Sequence, residues 1–120
     1  EMVDGLVGSE MCIRDSLTKG DKLMTVNVLF EGNLNADEVN NFTELCREAF
    51  KVTRAYDGCH SIDLTYNVED KNNWVLTEIW DSKEHYERYV AFRIEDGTVE
   101  KITSMCIEAP SIRIYDIVSV

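Results

Sequence analysis

Two stretches of alternating apolar and polar residues, joined by a short polar turn, constrain the fold of this chain most strongly. Residues 60–67 and residues 74–80 both repeat with a period of two. That period is typical of β-strands whose two faces meet different surroundings. The intervening residues 69–73 (EDKNN) are polar, which favours an antiparallel hairpin. The second strand places its large side chains on one face, namely Trp74, Leu76, Glu78 and Trp80.

Further elements flank this hairpin. In chain order we predict strand 25–30, helix 36–55, strand 60–67, strand 74–80, a helix ending near 95, helix 99–106 and strand 111–118. The two long helices are expected to be N-capped by Asn35 and Asp81, because each has a glutamate three residues later. Gly58 suits a left-handed turn after the first long helix, and Gly97 ends the second.

The order β-α-β-β-α-(α)-β is that of the ferredoxin-like arrangement. It predicts an α+β domain with a four-stranded antiparallel sheet and helices on one face. The opposite sheet face then lacks a covering layer, and a domain of this size buries only part of its apolar surface. We therefore expect a homodimer in which two sheets pack face to face as a dimeric α/β barrel.

Charge and cysteine usage exclude several classes of protein. The formal net charge is −11, and no basic patch is evident, so nucleic acid and anionic membranes are not expected partners. The four cysteines form no CxxC motif or zinc-ligand spacing, and with two histidines no metal site is predicted. No apolar run reaches about 18 residues, so we expect no membrane span and a cytoplasmic protein with free thiols.

The N-terminal residues 1–23 show neither a helix nor a strand period. Within them, residues 6–16 (LVGSEMCIRDS) resemble a translated adapter used in sequencing libraries. We therefore set residues 1–23 aside as disordered or artefactual, and expect the folded domain to span residues 24–120.

Candidate site residues cluster at the end of the second hairpin strand and on the helix after it. Trp80 ends its strand where sheet and helix can diverge, so it lines a pocket or fills the core. Glu78, on the same face, needs a partner or a shifted pKa. Arg93 lies on the inner stripe of the helix, where it pairs with Glu78 or holds a substrate oxyanion. Tyr86 and Tyr89 share that helix face, as core residues or as ligand contacts.

Two further polar residues are candidates. His60 opens a strand beside Gly58 and Cys59, where it packs, forms a hydrogen bond or faces a cavity. Asn27 is an amide in an otherwise apolar strand, and burying it unpaired would cost about 1–3 kcal/mol. It is therefore expected at a dimer edge, in a hydrogen bond or in contact with a ligand.

Three sequence features resemble the antibiotic biosynthesis monooxygenase family: the Gly58-Cys59 entry to a strand, the Glu78-x-Trp80 strand end, and the closing segment PSIRIY from Pro110. The resemblance covers about residues 24–116. In oxygenating members of that family, a phenol, quinol or anthrone is deprotonated in a dry pocket, and the anion passes an electron to O₂ without a metal or flavin. The resemblance implies that Trp80 lines this pocket and that Tyr86 faces the ligand.

The same resemblance also sets limits. Leu76 stands where some oxygenating members are expected to carry a polar pocket residue. The haem-degrading branch of the family needs a histidine ligand on the late helical segment, and residues 96–106 contain none. Haem is therefore not expected, and no cofactor is predicted.

We expect a cofactor-independent monooxygenase of small aromatic, quinol- or anthrone-like substrates. Trp80, Tyr86 and Tyr89 would wall a pocket of about 300 Å³ or more. Arg93 and Asn27 would contact the phenolate or carbonyl, and His60 or Glu78 would accept the proton. The alternatives are a non-catalytic, ligand-binding or stress-related dimeric barrel, and a cofactor-free isomerase or dehydratase.

Overall fold

The computed structural model describes residues 25–120, and the predictions for residues 1–23, including the adapter-like string, lie outside them. Its elements are β1 (Val26–Asn33), α1 (Val39–Ala55), β2 (Cys59–Asn67), β3 (Asp70–Trp80), α2 (Lys83–Glu95), α3 (Thr98–Ser104) and β4 (Ser111–Asp116). This order confirms the predicted α+β, ferredoxin-like fold. No helix within residues 25–120 is long and apolar enough to cross a membrane.

The four strands form one antiparallel sheet in the order β2-β3-β1-β4. Val28 of the inner strand β1 lies opposite Glu78 of β3 on one side and Ile114 of β4 on the other. Burial alternates along β1 and β3, because one face of the sheet packs against the helices. The prediction that Trp74, Leu76, Glu78 and Trp80 share one face is confirmed, and on β1 the buried face carries Val26, Val28 and Phe30.

The core between sheet and helices consists of two clusters. One surrounds Trp74, whose indole packs against Phe30 and Phe42 at ring-centroid distances of 5.2 and 4.6 Å. The other surrounds Trp80 and the two buried tyrosines of α2. Glu78 is placed on the strand segment that connects the two clusters.

Neither of the predicted N-cap residues, Asn35 for α1 and Asp81 for α2, is the N-cap in the structure, although each lies close to it in the sequence. Asp37 adopts a left-handed conformation with φ of 76°, so residues 36 and 37 form a turn, and α1 begins at Val39. The side chain of Asn35 instead donates to the carbonyl of Cys106. In α2 the cap is Ser82, whose Oγ accepts from the His85 N–H at 3.1 Å. The neighbouring Asp81 is paired with His60.

The hairpin is longer than the sequence indicated, because β3 begins at Asp70 and pairs there with Asn67. A register shift between Cys59 and Ser61 marks a bulge in β2. His60 is the extra residue of that bulge, which turns its side chain outward. The period of two over residues 60–67 predicted that His60 would share the face of Ile62, and this is wrong, because Ile62 is buried and His60 is exposed.

The far face of the sheet carries Asn27, Leu29, Ile79 and Tyr115, none of which is fully buried in the single chain. Asn27 lies between Ile79 and Tyr115 in the strand register. This is the face on which the homodimer was predicted, and the homodimer stays a prediction.

Candidate functional site

A cavity of about 210 Å³ lies between the inner face of the sheet and all three helices. Apolar side chains form most of its wall, among them Phe30, Phe50, Leu76 and Ile102. The prediction of a pocket of about 300 Å³ or more is therefore wrong, and the volume is also below the usual range for drug-sized ligands. A cavity of this size suits a small ligand.

Glu78 brings a carboxyl group into this apolar cavity. Its side chain is 2% exposed, and Trp80 Nε1 donates to its Oε1 at 2.9 Å. No ion pair joins Glu78 to any side chain among residues 25–120. Burial raises the pKa of Glu78 to about 7, although the hydrogen bond from Trp80 acts to lower it. A carboxyl group with that pKa can accept and return protons at neutral pH.

Arg93 does not pair with Glu78, so that structural alternative is wrong. Its guanidinium, which is 7% exposed, donates to the Tyr89 hydroxyl, the Asp96 carboxylate and the Ala49 carbonyl at 2.8, 2.8 and 2.7 Å. These three partners hold the guanidinium in the cavity wall. Arg93 therefore shapes the cavity and joins two helices while leaving Glu78 without a counter-charge in the described part of the chain.

The two tyrosines of α2 both line the cavity, but they differ in their hydrogen bonds. The Tyr89 hydroxyl is engaged by Thr53 Oγ1 at 2.5 Å and by Arg93 Nε. The Tyr86 hydroxyl forms no hydrogen bond within residues 25–120. Burial raises the pKa of Tyr86, and the nearby charge of Glu78 raises it further, so the phenol stays protonated and can donate to a ligand.

Trp80 is fully buried and is not among the side chains that line the cavity. Its indole packs against the rings of Tyr86 and Tyr89 at centroid distances of 5.7 and 5.0 Å. The Trp80 indole therefore lies behind the cavity wall. It bonds to the carboxyl group of Glu78, which lines the cavity, but does not line the cavity itself.

The remaining two candidate residues lie elsewhere. His60 is exposed at the start of β2, where its Nε2 pairs with Asp81. Asn27 lies on the opposite face of the sheet from the cavity. The structure thus brings Glu78, Tyr86, Tyr89 and Arg93 together, and leaves His60 and Asn27 outside.

One cavity-lining residue was not among the site candidates predicted from the sequence. Cys46 of α1 lines the cavity, and burial raises the pKa of its thiol to about 12, with a further contribution from the Glu78 charge. Its only sequence signal is its place on the inner stripe of α1. Within residues 25–120, no three His, Cys, Asp or Glu side chains are grouped so that they would hold a metal ion.

Residues 25–92 match the model of the antibiotic biosynthesis monooxygenase family. This segment is more than half of the chain, and it contains Glu78, Trp80, Tyr86 and Tyr89. Among curated proteins, no sequence matches the chain.

Solved structures share the fold at low sequence identity. A conserved protein from Methanosarcina mazei superposes with a TM-score of 0.72 at 15% identity, covering 78% of this chain and 93% of its own. An antibiotic biosynthesis monooxygenase gives 0.70 at 19% identity, with 78% and 99% covered. A protein from Mycobacterium tuberculosis gives 0.70 at 18% identity, with 80% and 97% covered. At these identities the likeness establishes the fold alone.

Proposed function

The chain belongs to the antibiotic biosynthesis monooxygenase family, and on that premise we propose that it is a cofactor-independent monooxygenase of small aromatic, quinol-like substrates. The observation that carries the proposal is the buried carboxyl group of Glu78. It stands in an apolar cavity, has no cationic partner within residues 25–120, and has a pKa near neutrality. A base with that pKa, in a cavity lined mostly by apolar side chains, is suited to deprotonating a phenol.

The proposed reaction begins with proton transfer from a hydroquinone hydroxyl to Glu78. The resulting anion gives one electron to O₂, and the aryloxyl radical and superoxide combine to form a carbon–oxygen bond. The peroxide anion takes the proton back from Glu78, and loss of water leaves a hydroxyquinone. One hydroquinone and one O₂ thus give one hydroxyquinone and one water, with O₂ as the sole oxidant.

Each cavity residue has a separate part in this scheme. The Tyr86 hydroxyl donates a hydrogen bond to the oxygen of the bound ring and so stabilises the anion. Tyr89 and Arg93 are held by their own partners and form a fixed wall with a positive charge in it. The cavity of about 210 Å³ favours hydroquinones of one ring over larger anthrones.

The proposal also includes a homodimer formed through the far face of the sheet. Leu29, Ile79 and Tyr115 supply apolar area on that face, and Asn27 lies between the last two. Sedimentation of wild-type protein and of the Leu29→Asp variant tests this directly. We expect a dimer from the former and a monomer from the latter.

Oxygen uptake by metal-stripped protein tests the activity. A panel of substituted hydroquinones, with an anthrone as the larger member, is supplied under ¹⁸O₂, and the product is analysed by mass. We expect uptake above the uncatalysed rate and one labelled oxygen in the product. Glu78→Gln should lower the rate about 100-fold or more, and Tyr86→Phe should lower it less.

The matched control is His60→Gln, which removes the other proposed proton acceptor without touching the cavity. Its rate should equal that of wild type. Equal rates for wild type and Glu78→Gln would contradict the assigned base. A product of unchanged mass would assign a cofactor-free isomerase instead, because a proton acceptor at Glu78 and a hydrogen-bond donor at Tyr86 in one cavity also suit proton transfer within a substrate. Tight binding of a member of the panel without turnover would indicate that the protein binds such ligands and does not convert them.

A further inference from the structure

Trp80 and Glu78 are two residues apart on the same face of β3, and the indole N–H of Trp80 bonds to one carboxylate oxygen of Glu78. The indole is fully buried behind the cavity wall, whereas the carboxyl group faces the cavity. Trp80 therefore touches the reacting group without touching the space that a ligand would occupy.

We infer that Trp80 is a positioning residue: its N–H fixes Oε1 of Glu78 and leaves Oε2 as the oxygen that exchanges a proton with the ligand. An indole N–H only donates, so it bonds to the carboxylate without competing for the proton. A hydrogen bond to an ionised acceptor is stronger than one to a neutral acceptor. Trp80 thus favours the proton-accepting form of Glu78 while burial opposes that form.

The donor is itself held in place by aromatic packing. Tyr56, Tyr86 and Tyr89 surround the Trp80 indole at centroid distances of 6.3, 5.7 and 5.0 Å. Such packing leaves the ring few alternative orientations, so the N–H direction is set before any ligand enters. The inference rests on the proposed role of Glu78 as the proton acceptor.

Trp74 provides an internal control. It is the only other tryptophan of the chain, and it lies on the same face of β3, six residues before Trp80. Its indole is also fully buried, but its N–H faces the Cys106 thiol rather than a carboxyl group. Burial raises the pKa of that thiol above its ordinary 9.0, so the two indole N–H groups differ in whether they contact a group that titrates near pH 7.

The first test follows both indole N–H resonances of ¹⁵N-labelled full-length protein from pH 5 to pH 9, with assignment by Trp74→Phe. We expect the Trp80 resonance to move with a midpoint near pH 7, and the Trp74 resonance to stay in place over that transition. Glu78→Gln should abolish the Trp80 transition. A Trp80 resonance that does not titrate, or that titrates unchanged in Glu78→Gln, would overturn the inference.

The second test measures the Glu78 carboxyl by ¹³C resonance in the Trp80→Phe variant, with Trp74→Phe as the matched control. Loss of the N–H should raise the Glu78 midpoint by about one pH unit or more, and Trp74→Phe should leave it unchanged. Equal Glu78 midpoints in both variants would contradict the positioning role and leave Trp80 with a packing role in the core only. If Trp80→Phe does not fold, the indole titrations of wild type and Glu78→Gln decide the matter alone.

Neither test needs turnover. A normal Trp80 titration with background oxygen uptake would refute the proposed function and leave the Trp80–Glu78 coupling standing. Suppose instead that oxygen uptake depends on Glu78 but the Trp80 resonance does not respond to the ionisation of Glu78. That result would refute the positioning role and leave the proposed function standing.

Discussion

The guanidinium of Arg93 in α2 donates through Nη2 to the backbone carbonyl of Ala49 in α1, at 2.7 Å. That carbonyl also accepts from Thr53 Oγ1 within α1 at 3.1 Å. This contact makes Arg93 a cross-link between the two long helices that cover the cavity, and the bond between Tyr89 of α2 and Thr53 of α1 is a second one. The helices therefore keep their spacing even though the space between them is not filled.

Arg93→Lys should destabilise the fold by about 2 kcal/mol or more, because one ammonium cannot replace bonds to three separate acceptors. Arg88→Lys on the same helix is the matched control, since Arg88 is exposed and only approaches Asp57 at 3.8 Å. It should change stability by less than about 0.5 kcal/mol. Urea denaturation measures both, and equal losses would contradict the cross-link.

Glu78→Gln should stabilise the fold at alkaline pH. Burial raises the pKa of Glu78 from its ordinary 4.5 to about 7, so the folded protein binds this proton more tightly than the unfolded chain. Stability therefore falls as the pH rises through this window, by roughly 3 kcal/mol in all. The amide keeps an acceptor for Trp80 and has no charge to bury.

Urea denaturation of wild type and Glu78→Gln at pH 4.5 and pH 8.5 measures this effect. The difference between them should grow with pH, in favour of the variant. Glu95→Gln, at the exposed end of α2, is the control and should stay within about 0.5 kcal/mol of wild type. A variant less stable than wild type at pH 8.5 would contradict the assigned burial cost.

The thiols near the cavity should react slowly in the folded protein. Burial, followed by the Glu78 charge, raises the pKa of Cys46 to about 12 and that of Cys59 to about 11. Against an ordinary thiol pKa of 9.0, this lowers the thiolate fraction of Cys46 about a thousandfold.

Labelling with a disulfide reagent at pH 8, in a Cys12→Ser background, tests this. Cys59, which is half-buried, should react before Cys46, and both should react rapidly in urea. A quinone product in the cavity would then meet a protonated thiol rather than a nucleophile. Rapid labelling of Cys46 in folded protein would contradict the burial of this thiol in the cavity wall.

The two glycines with positive φ should respond differently to alanine. Gly58 and Gly97 have φ of 93° and 87°, so a Cβ at either adds strain of about 1–2 kcal/mol. A Cβ at Gly58 would also lie 2.6 Å from the side chain of His85, whereas one at Gly97 has no heavy atom within 4 Å. Gly58→Ala should therefore lower the thermal midpoint more than Gly97→Ala, and the reverse order would contradict the tight approach of His85.

The sequence predicted the fold well where one physical signal dominated. The period of two in β1 and β3 predicted which face is buried, because a register shift of one residue would move Trp74 and Trp80 to the other face of the sheet. The helix starts were less predictable, because Asp81 and Ser82 are both good caps and only the engagement of Asp81 by His60 decides between them.

The candidate site was less predictable than the fold. Sequence spacing placed Glu78 and Arg93 on facing elements, and pairing them was reasonable. In the folded chain Arg93 has nearer partners in Tyr89, Asp96 and the Ala49 carbonyl. The position of Trp80 behind the cavity likewise depends on how three aromatic rings pack around it, which no periodicity encodes.

The cavity draws on two parts of the chain that are separable in sequence. The carboxylate and its indole donor come from residues 25–92, the segment that matches the family. Almost half of the cavity wall comes later, from the end of α2, from α3 and from the segment Pro110 to Ile112. Substitutions within residues 93–120 would therefore reshape the cavity while leaving the Glu78–Trp80 pair in place. The same division marks this C-terminal quarter of the chain as the place to change the shape of the cavity without disturbing its carboxyl group.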